Sequence, residues 1–156
     1  MAIATTLQRY LSDQGIGYDL LPHEPTMSSA RTAQAGHVSG DAVAKGIVVS
    51  GDGEYMLAVL PASRHIELAD LETELGHEVH LASEQEIGEV FRDCDRGAIP
   101  PVGSCYGLNV IIDDSIGRQS DVYFEAGDHA TLIHMKSAEF AKLDPHARHG
   151  SFSAPG

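Results

Sequence analysis

The sequence of 156 residues predicts a single α/β domain with a mixed, mostly antiparallel sheet and several short helices around it. Three observations carry this. The β-branched run Gly46-Ile47-Val48-Val49-Ser50 leads through Gly51-Asp52-Gly53 into a second apolar run, Tyr55 to Leu60, which is a hairpin signal. Apolar residues at helical spacing occur only in separate short stretches. The connections are too short for a regular series of parallel strands joined by crossover helices.

The elements follow in order. Thr5 and Thr6 are candidate caps for a helix running to about Gln14, with Leu7, Tyr10 and Leu11 on one face and Gly15 as the stop. Tyr18 to Leu21 reads as a short strand. Ser28 or Ser29 caps a short helix that ends at Gly36. The hairpin strands 46–50 and 55–60 come next. Leu68, Leu71 and Leu75 then define a helix that stops at Gly76, and Glu78 to Leu81 reads as a strand. Ser83 caps a helix through about Phe91, with Glu86 placed for a capping box. A Gly/Pro loop, residues 97–103, precedes three strands at Leu108–Ile112, Asp121–Glu125 and Thr131–Met135. Ser137 to Leu143 forms the last helix. The domain is expected over residues 1–145, with 146–156 a flexible tail because they are polar and small.

Composition narrows the function classes. Apolar residues make up 42% and charged residues 21%, the balance of a globular protein. The first residues carry no basic leader, and no run approaches the roughly 18 apolar residues of a membrane span. The cytoplasm is therefore the expected compartment, with no membrane partner. The two cysteines, Cys94 and Cys105, form no C-x-x-C pair, so neither a disulfide framework nor a structural zinc site is expected. A net charge of −13 argues against a broad nucleic-acid grip, DNA included. The acids cluster, however: ten of them lie between Glu67 and Asp95, against one arginine. Residues 26–50 hold Arg31, Lys45 and the single acid Asp41, so any RNA contact belongs on that side.

Phosphate-loop, dinucleotide-binding, zincin and serine-elbow signatures are all missing. Two histidine pairs, His77/His80 and His146/His149, have spacing of three but no carboxylate partner in a regular helix. They read as surface histidines, and no metal or other cofactor is called for.

Three local features could carry chemistry. Lys45, one of only three lysines, sits at the mouth of the apolar strand. It is either a snorkelling strand-end lysine or a fixed cation for an anionic or carbonyl-bearing ligand. The loop Gly97-Ala98-Ile99-Pro100-Pro101-Val102-Gly103 is either an ordinary rigid turn or a frame that aims backbone N–H groups at a developing oxyanion. In Glu125-Ala126-Gly127-Asp128-His129, the histidine is either a solvent-facing turn residue or a proton carrier.

These features stand in the order found in the YbaK/prolyl-tRNA synthetase-associated domain family, which the chain resembles over roughly residues 1–145. The matching elements are the opening helix followed by Pro22-His23, the Ala44-Lys45 step into Gly46-Ile47-Val48-Val49, the 97–103 loop, and Tyr123-Phe124-Glu125-Ala126-Gly127 running on to His129, the following strand and the last helix. The resemblance implies a curved mixed sheet and deacylation of mischarged tRNA, with the tRNA acceptor end as partner and a synthetase or elongation factor for delivery. By position it makes Lys45, Gly103 and His129 the candidate catalytic residues. Met27, Met56, Pro101, Val102 and Ser104 are candidates for the substrate-binding wall, with core packing as the alternative. Gly46 departs from a common family pattern, in which a small polar residue follows the lysine, so the resemblance leaves the amino acid open. Alanine, cysteine or serine on tRNA-Pro is the expected cargo. A silent aminoacyl-tRNA or adenylated-ligand binding module, and a hydrolase of another small acyl ester, are the competing readings. A thiol nucleophile at Cys105 or Cys94 lacks a partner base.

Overall fold

Helix α1 (Thr5–Asp13) buries Leu7 and Leu11 and stops at Gly15, whose φ of +65° favours glycine. Its N-cap is Ala4, so Thr5 and Thr6 do not cap it. Asp93 does so from a distant segment, accepting the Thr6 N–H at 2.8 Å and bringing a carboxylate to the positive end of the helix. The computed structural model describes residues 3–24, 32–33 and 35–156. Met27, and most of the helix expected between Ser28 and Gly36, lie outside the described residues.

Strand β1 (Asp19–Pro22) precedes the hairpin of β2 (Ala44–Gly51) and β3 (Glu54–Pro61). Asp52 and Gly53 turn this hairpin with φ of 52° and 76°, the mirror-image two-residue turn that matches strand twist. After β4 (Arg64–Ile66) comes α2 (Leu68–Leu75), closed by left-handed Gly76 as its sequence predicts. The next strand is shorter than expected, with only His80–Leu81 forming β5. Helix α3 (Glu84–Val90) begins with the predicted capping box: Ser83 Oγ accepts the Glu86 N–H, and Glu86 accepts the Ser83 N–H. Strands β6 (Asn109–Asp113), β7 (Asp121–Glu125) and β8 (Thr131–Lys136) match their predicted runs closely. The last helix is only one turn, α4 (Ser137–Phe140). The chain must then bend so that Asp144 can accept hydrogen bonds from residues 103 and 104.

The strands form a mixed set of sheets in which antiparallel pairs dominate. A five-stranded sheet runs β5-β2-β3-β6 and ends on β9 (Arg148–Gly150); only β3/β6 and β6/β9 are parallel. A three-stranded antiparallel sheet runs β1-β8-β7. The two meet at one parallel bridge, Val43 to Tyr123, where the Tyr123 N–H donates to Ala42 O at 2.9 Å. Both faces of the β2–β3 hairpin are covered, which explains its continuous apolar run. Val48, Leu57 and Val59 face the main core with Leu7, Phe124 and Ile133. Val49, Ala58 and Leu60 face a second cluster built on Leu71 and Phe152.

The flexible tail expected at 146–156 is instead part of the fold. Strand β9 extends the large sheet, and β10 (Ser153–Pro155) pairs antiparallel with β4. Phe152 anchors the segment: it is fully buried, and its N–H donates to Asp113 Oδ1 at 2.9 Å. Small polar neighbours conceal this one aromatic anchor in a reading based on composition.

Candidate functional site

The site begins as a gap in the sheet. Within a strand, alternate residues direct both backbone polar groups to the same edge. Val48 O accepts the Ala82 N–H on the β5 side of β2, so Gly46 presents its backbone groups to that same edge. Strand β5 pairs only with Val49 and Ser50, and at the other end the pairing with β7 is limited to the bridge at Val43, just before β2. The edge between them opens into a cleft of about 250 Å³, lined by residues 44–48, Leu81, Ala82, Glu84, Ile87, Gly97, Ile99 and Glu125.

Lys45 lines this cleft and is the residue that sequence reasoning weighted most. Its ammonium donates to Arg64 O at 2.7 Å, and partial burial pulls its pKa below the usual lysine value. It is thus a tethered cation rather than a free one. Gly46 is closely packed: a Cβ there would lie 2.9 Å from Leu57 Cδ1 and 3.3 Å from Pro101 Cα, so both neighbours would have to give way. The Gly/Pro loop therefore crosses β2 at the Lys45-Gly46 step, although the two segments are far apart in sequence.

The loop contributes its first half to the cleft, through Gly97 and Ile99, and its second half to the core. Gly103 is buried outside the cleft lining, and its N–H goes to Asp144 Oδ2 at 3.3 Å. Ser104 gives both its N–H and its hydroxyl to Asp144 Oδ1. The expected oxyanion role of the Gly103 N–H is corrected on this geometry, because a carboxylate already holds it. Val102 is fully buried in the main core and Pro101 is buried against Gly46. Met56 pairs with Val49, toward the far end of the ladder from Lys45, and lines a separate groove with His146 and Arg148. His129 does not line the cleft but packs against its mouth: its Nε2–H donates to Arg96 O at 2.6 Å, and its ring sits over Gly97.

Sequence reasoning missed Glu125 as a site residue. It closes β7, lines the cleft and is only 6% exposed. Its Oε1 accepts the Thr32 hydroxyl at 2.7 Å and lies 3.3 Å from His23 Nε2, whose side chain is fully buried. Among the described residues, Glu125 Oε2 and His23 Nε2 have no hydrogen-bond partner. Burial pushes the Glu125 carboxyl up to about 7 against the pull of the Thr32 hydroxyl and of His129, with Asp128 adding to the rise. The available signal was an acid ending the apolar strand Val122-Tyr123-Phe124, since acids are seldom buried without a counter-charge.

Neither thiol is poised as a nucleophile. Burial, reinforced by nearby aspartates, pushes Cys94 and Cys105 up to about 12. Among the described residues, no three His, Cys, Asp or Glu side chains are grouped to hold a metal ion, and no helix is long and apolar enough to cross a membrane.

Fold and site together define a mixed α/β domain with a small, partly polar cleft at a sheet edge, holding one tethered lysine and one buried carboxyl. The chain belongs to the aminoacyl-tRNA editing domain family, whose sequence model matches residues 23–143. Among solved structures it is similar to "a putative trans-editing enzyme for prolyl tRNA synthetase", with 20% identity, TM-score 0.84, and coverage of 96% of this chain and 95% of that one. It is equally similar in fold to "hypothetical protein APE2540", at 21% identity, TM-score 0.84 and coverage of 96% and 99%. A scaffold protein used for computational epitope grafting also matches, at 17% identity, TM-score 0.84 and coverage of 97% and 96%. No curated protein matches the chain in sequence.

Proposed function

We propose that this protein is a trans-editing aminoacyl-tRNA deacylase that hydrolyses the ester of a small amino acid, such as alanine, cysteine or serine, mischarged on tRNA-Pro. The observation that carries this reading is the cleft at the open edge of β2, where Lys45, the Gly46 backbone and Glu125 line one small space. At about 250 Å³ it falls just below the roughly 300–1,000 Å³ of pockets for drug-sized ligands. That size suits an amino-acid ester and its ribose edge, and leaves the rest of the acceptor end outside.

An aminoacyl ester is already activated, so the site needs only to orient it and stabilise the tetrahedral oxyanion. Lys45 anchors the terminal phosphate or ribose region. With the Gly103 N–H taken by Asp144, the Gly46 N–H on the open edge is the donor that faces the ester carbonyl oxygen. Ile47, Leu81, Ile87 and Ile99 form apolar walls that favour small side chains by excluding larger ones. The acidic surface fits brief contact with the acceptor end only, with a synthetase or elongation factor as the delivering partner, and a shallow dependence of binding on salt.

A deacylation panel of Ala-, Cys- and Ser-charged tRNA-Pro tests the reading, with free amino-acid esters as the control. Faster loss of at least one tRNA ester, with free esters left intact, supports it. Tight binding without ester loss overturns it. Lys45→Ala, which frees the acceptor end to shift, should lower the deacylation rate by about 10²-fold with the circular dichroism spectrum unchanged; wild-type rates in that variant would remove Lys45 from the site.

A further inference from the structure

Glu125 is a cleft residue for which simple orientation of an ester has no use. Its surroundings give it one. His23 Nδ1 lies 2.6 Å from Glu24 O, and a carbonyl only accepts, so Nδ1 carries a proton. The other nitrogen, Nε2, then faces Glu125 Oε1 at 3.3 Å, and among the described residues neither His23 Nε2 nor Glu125 Oε2 is hydrogen-bonded. A buried polar atom without a hydrogen bond has lost its water and gained nothing in return, so such a pair calls for a purpose. The other ionisable groups at the cleft are committed. Lys45 is tethered to Arg64 O, Glu84 is ion-paired with Arg96 at 3.0 Å, and His129 donates to Arg96 O.

We propose that Glu125, held by the Thr32 hydroxyl and packed against the buried His23 ring, is the general base of the cleft. This rests on the deacylase reading above. A water O–H bond breaks as its oxygen bonds to the ester carbonyl carbon, and the proton passes to the Glu125 carboxylate. The carbonyl electron pair moves onto the oxyanion. When the tetrahedral intermediate collapses, the carbon–oxygen bond to the ribose breaks and the Glu125 carboxyl returns its proton to the departing oxygen. The products are the free amino acid and tRNA with its ribose hydroxyl restored, and the carboxylate is regenerated. His23 is a positioning residue, since its ring is shut away from the cleft. A carboxyl raised by burial to about 7 suits this exchange at neutral pH. The groups bearing on it are His23 after β1, Thr32, and Asp128 and His129 of the β7–β8 turn; Lys45 lines the same cleft with its ammonium turned to Arg64 O.

The test is single-turnover deacylation of alanyl-tRNA-Pro from about pH 5.5 to about 8.5, with spontaneous ester loss subtracted. The wild-type rate should rise with pH and level off past an inflection near 7. Glu125→Gln keeps the shape and an acceptor for Thr32 but takes no proton. Its rate should fall by about 10²–10⁴-fold and lose the inflection, with affinity for uncharged tRNA unchanged. A Glu125→Gln rate close to wild type, or the same inflection in both, overturns the proposal. If that variant does not fold, the wild-type profile decides alone: no inflection around neutral pH overturns it. His23→Asn should move the inflection without changing KM, and an unmoved inflection overturns the part given to His23. Wild-type inactivity on the whole Ala, Cys and Ser panel is a different result, because it removes the deacylase reading itself.

Discussion

Replacing Glu125 by glutamine should make the folded protein more stable at alkaline pH, even as it impairs the cleft. The folded-state carboxyl sits at about 7 against an ordinary value of 4.5, because burial penalises its charge. At roughly 1.4 kcal/mol per tenfold change in proton affinity, that displacement is worth at most about 3 kcal/mol. The sign follows from which state holds the proton. Between the two values the folded protein binds more protons than the unfolded chain, so the contribution is fully present below 4.5 and lost as pH rises through 7. Glutamine has no such loss and retains an oxygen for the Thr32 hydroxyl. Urea unfolding of both proteins at several pH values between about 4.5 and 8.5 isolates the effect, because every other titrating group cancels in the difference. The wild type should lose up to about 3 kcal/mol relative to Glu125→Gln across that window. A difference that stays flat with pH would refute the placement of an uncompensated carboxyl in the cleft wall. The same cost explains why a stability-optimised sequence would not keep an acid there without a task for it.

Asp144→Ala should destabilise the fold by about 2–4 kcal/mol in thermal or urea unfolding, since it strands the buried Gly103 N–H and removes both Ser104 contacts. Phe152→Ala should cost about 3–5 kcal/mol, and an unchanged midpoint would restore the view of 146–156 as a loose tail. Cys94→Ser and Cys105→Ser should leave deacylation intact, and both thiols should react slowly with a disulfide reagent at neutral pH.

Much of the fold was legible because its signals are local. The Asp52-Gly53 turn, the Gly76 stop and the Ser83–Glu86 capping box each depend on a few adjacent residues, and all three form. The reading went astray where a partner comes from elsewhere. Helix α1 is capped by Asp93 rather than by its own threonines, and the C-terminal segment is ordered by Phe152 and Asp113 rather than by its own composition. The site shows the same division. Lys45 stood out through its scarcity and the 97–103 loop through its two prolines, while Gly103 carried the right residue type in a position already claimed by Asp144.

The sequence by itself determined most of the elements up to residue 143, the hairpin and the family, because periodicity, turn residues and motif order are written along the chain. Only the tertiary structure decided that β2 and β7 part company after a single bridge, that the loop crosses at Gly46, and that Glu125 faces His23 within the resulting cleft. The physical reason is that a strand's edge, and the burial of a charge, depend on which distant segment lies alongside, and no local pattern encodes that neighbour.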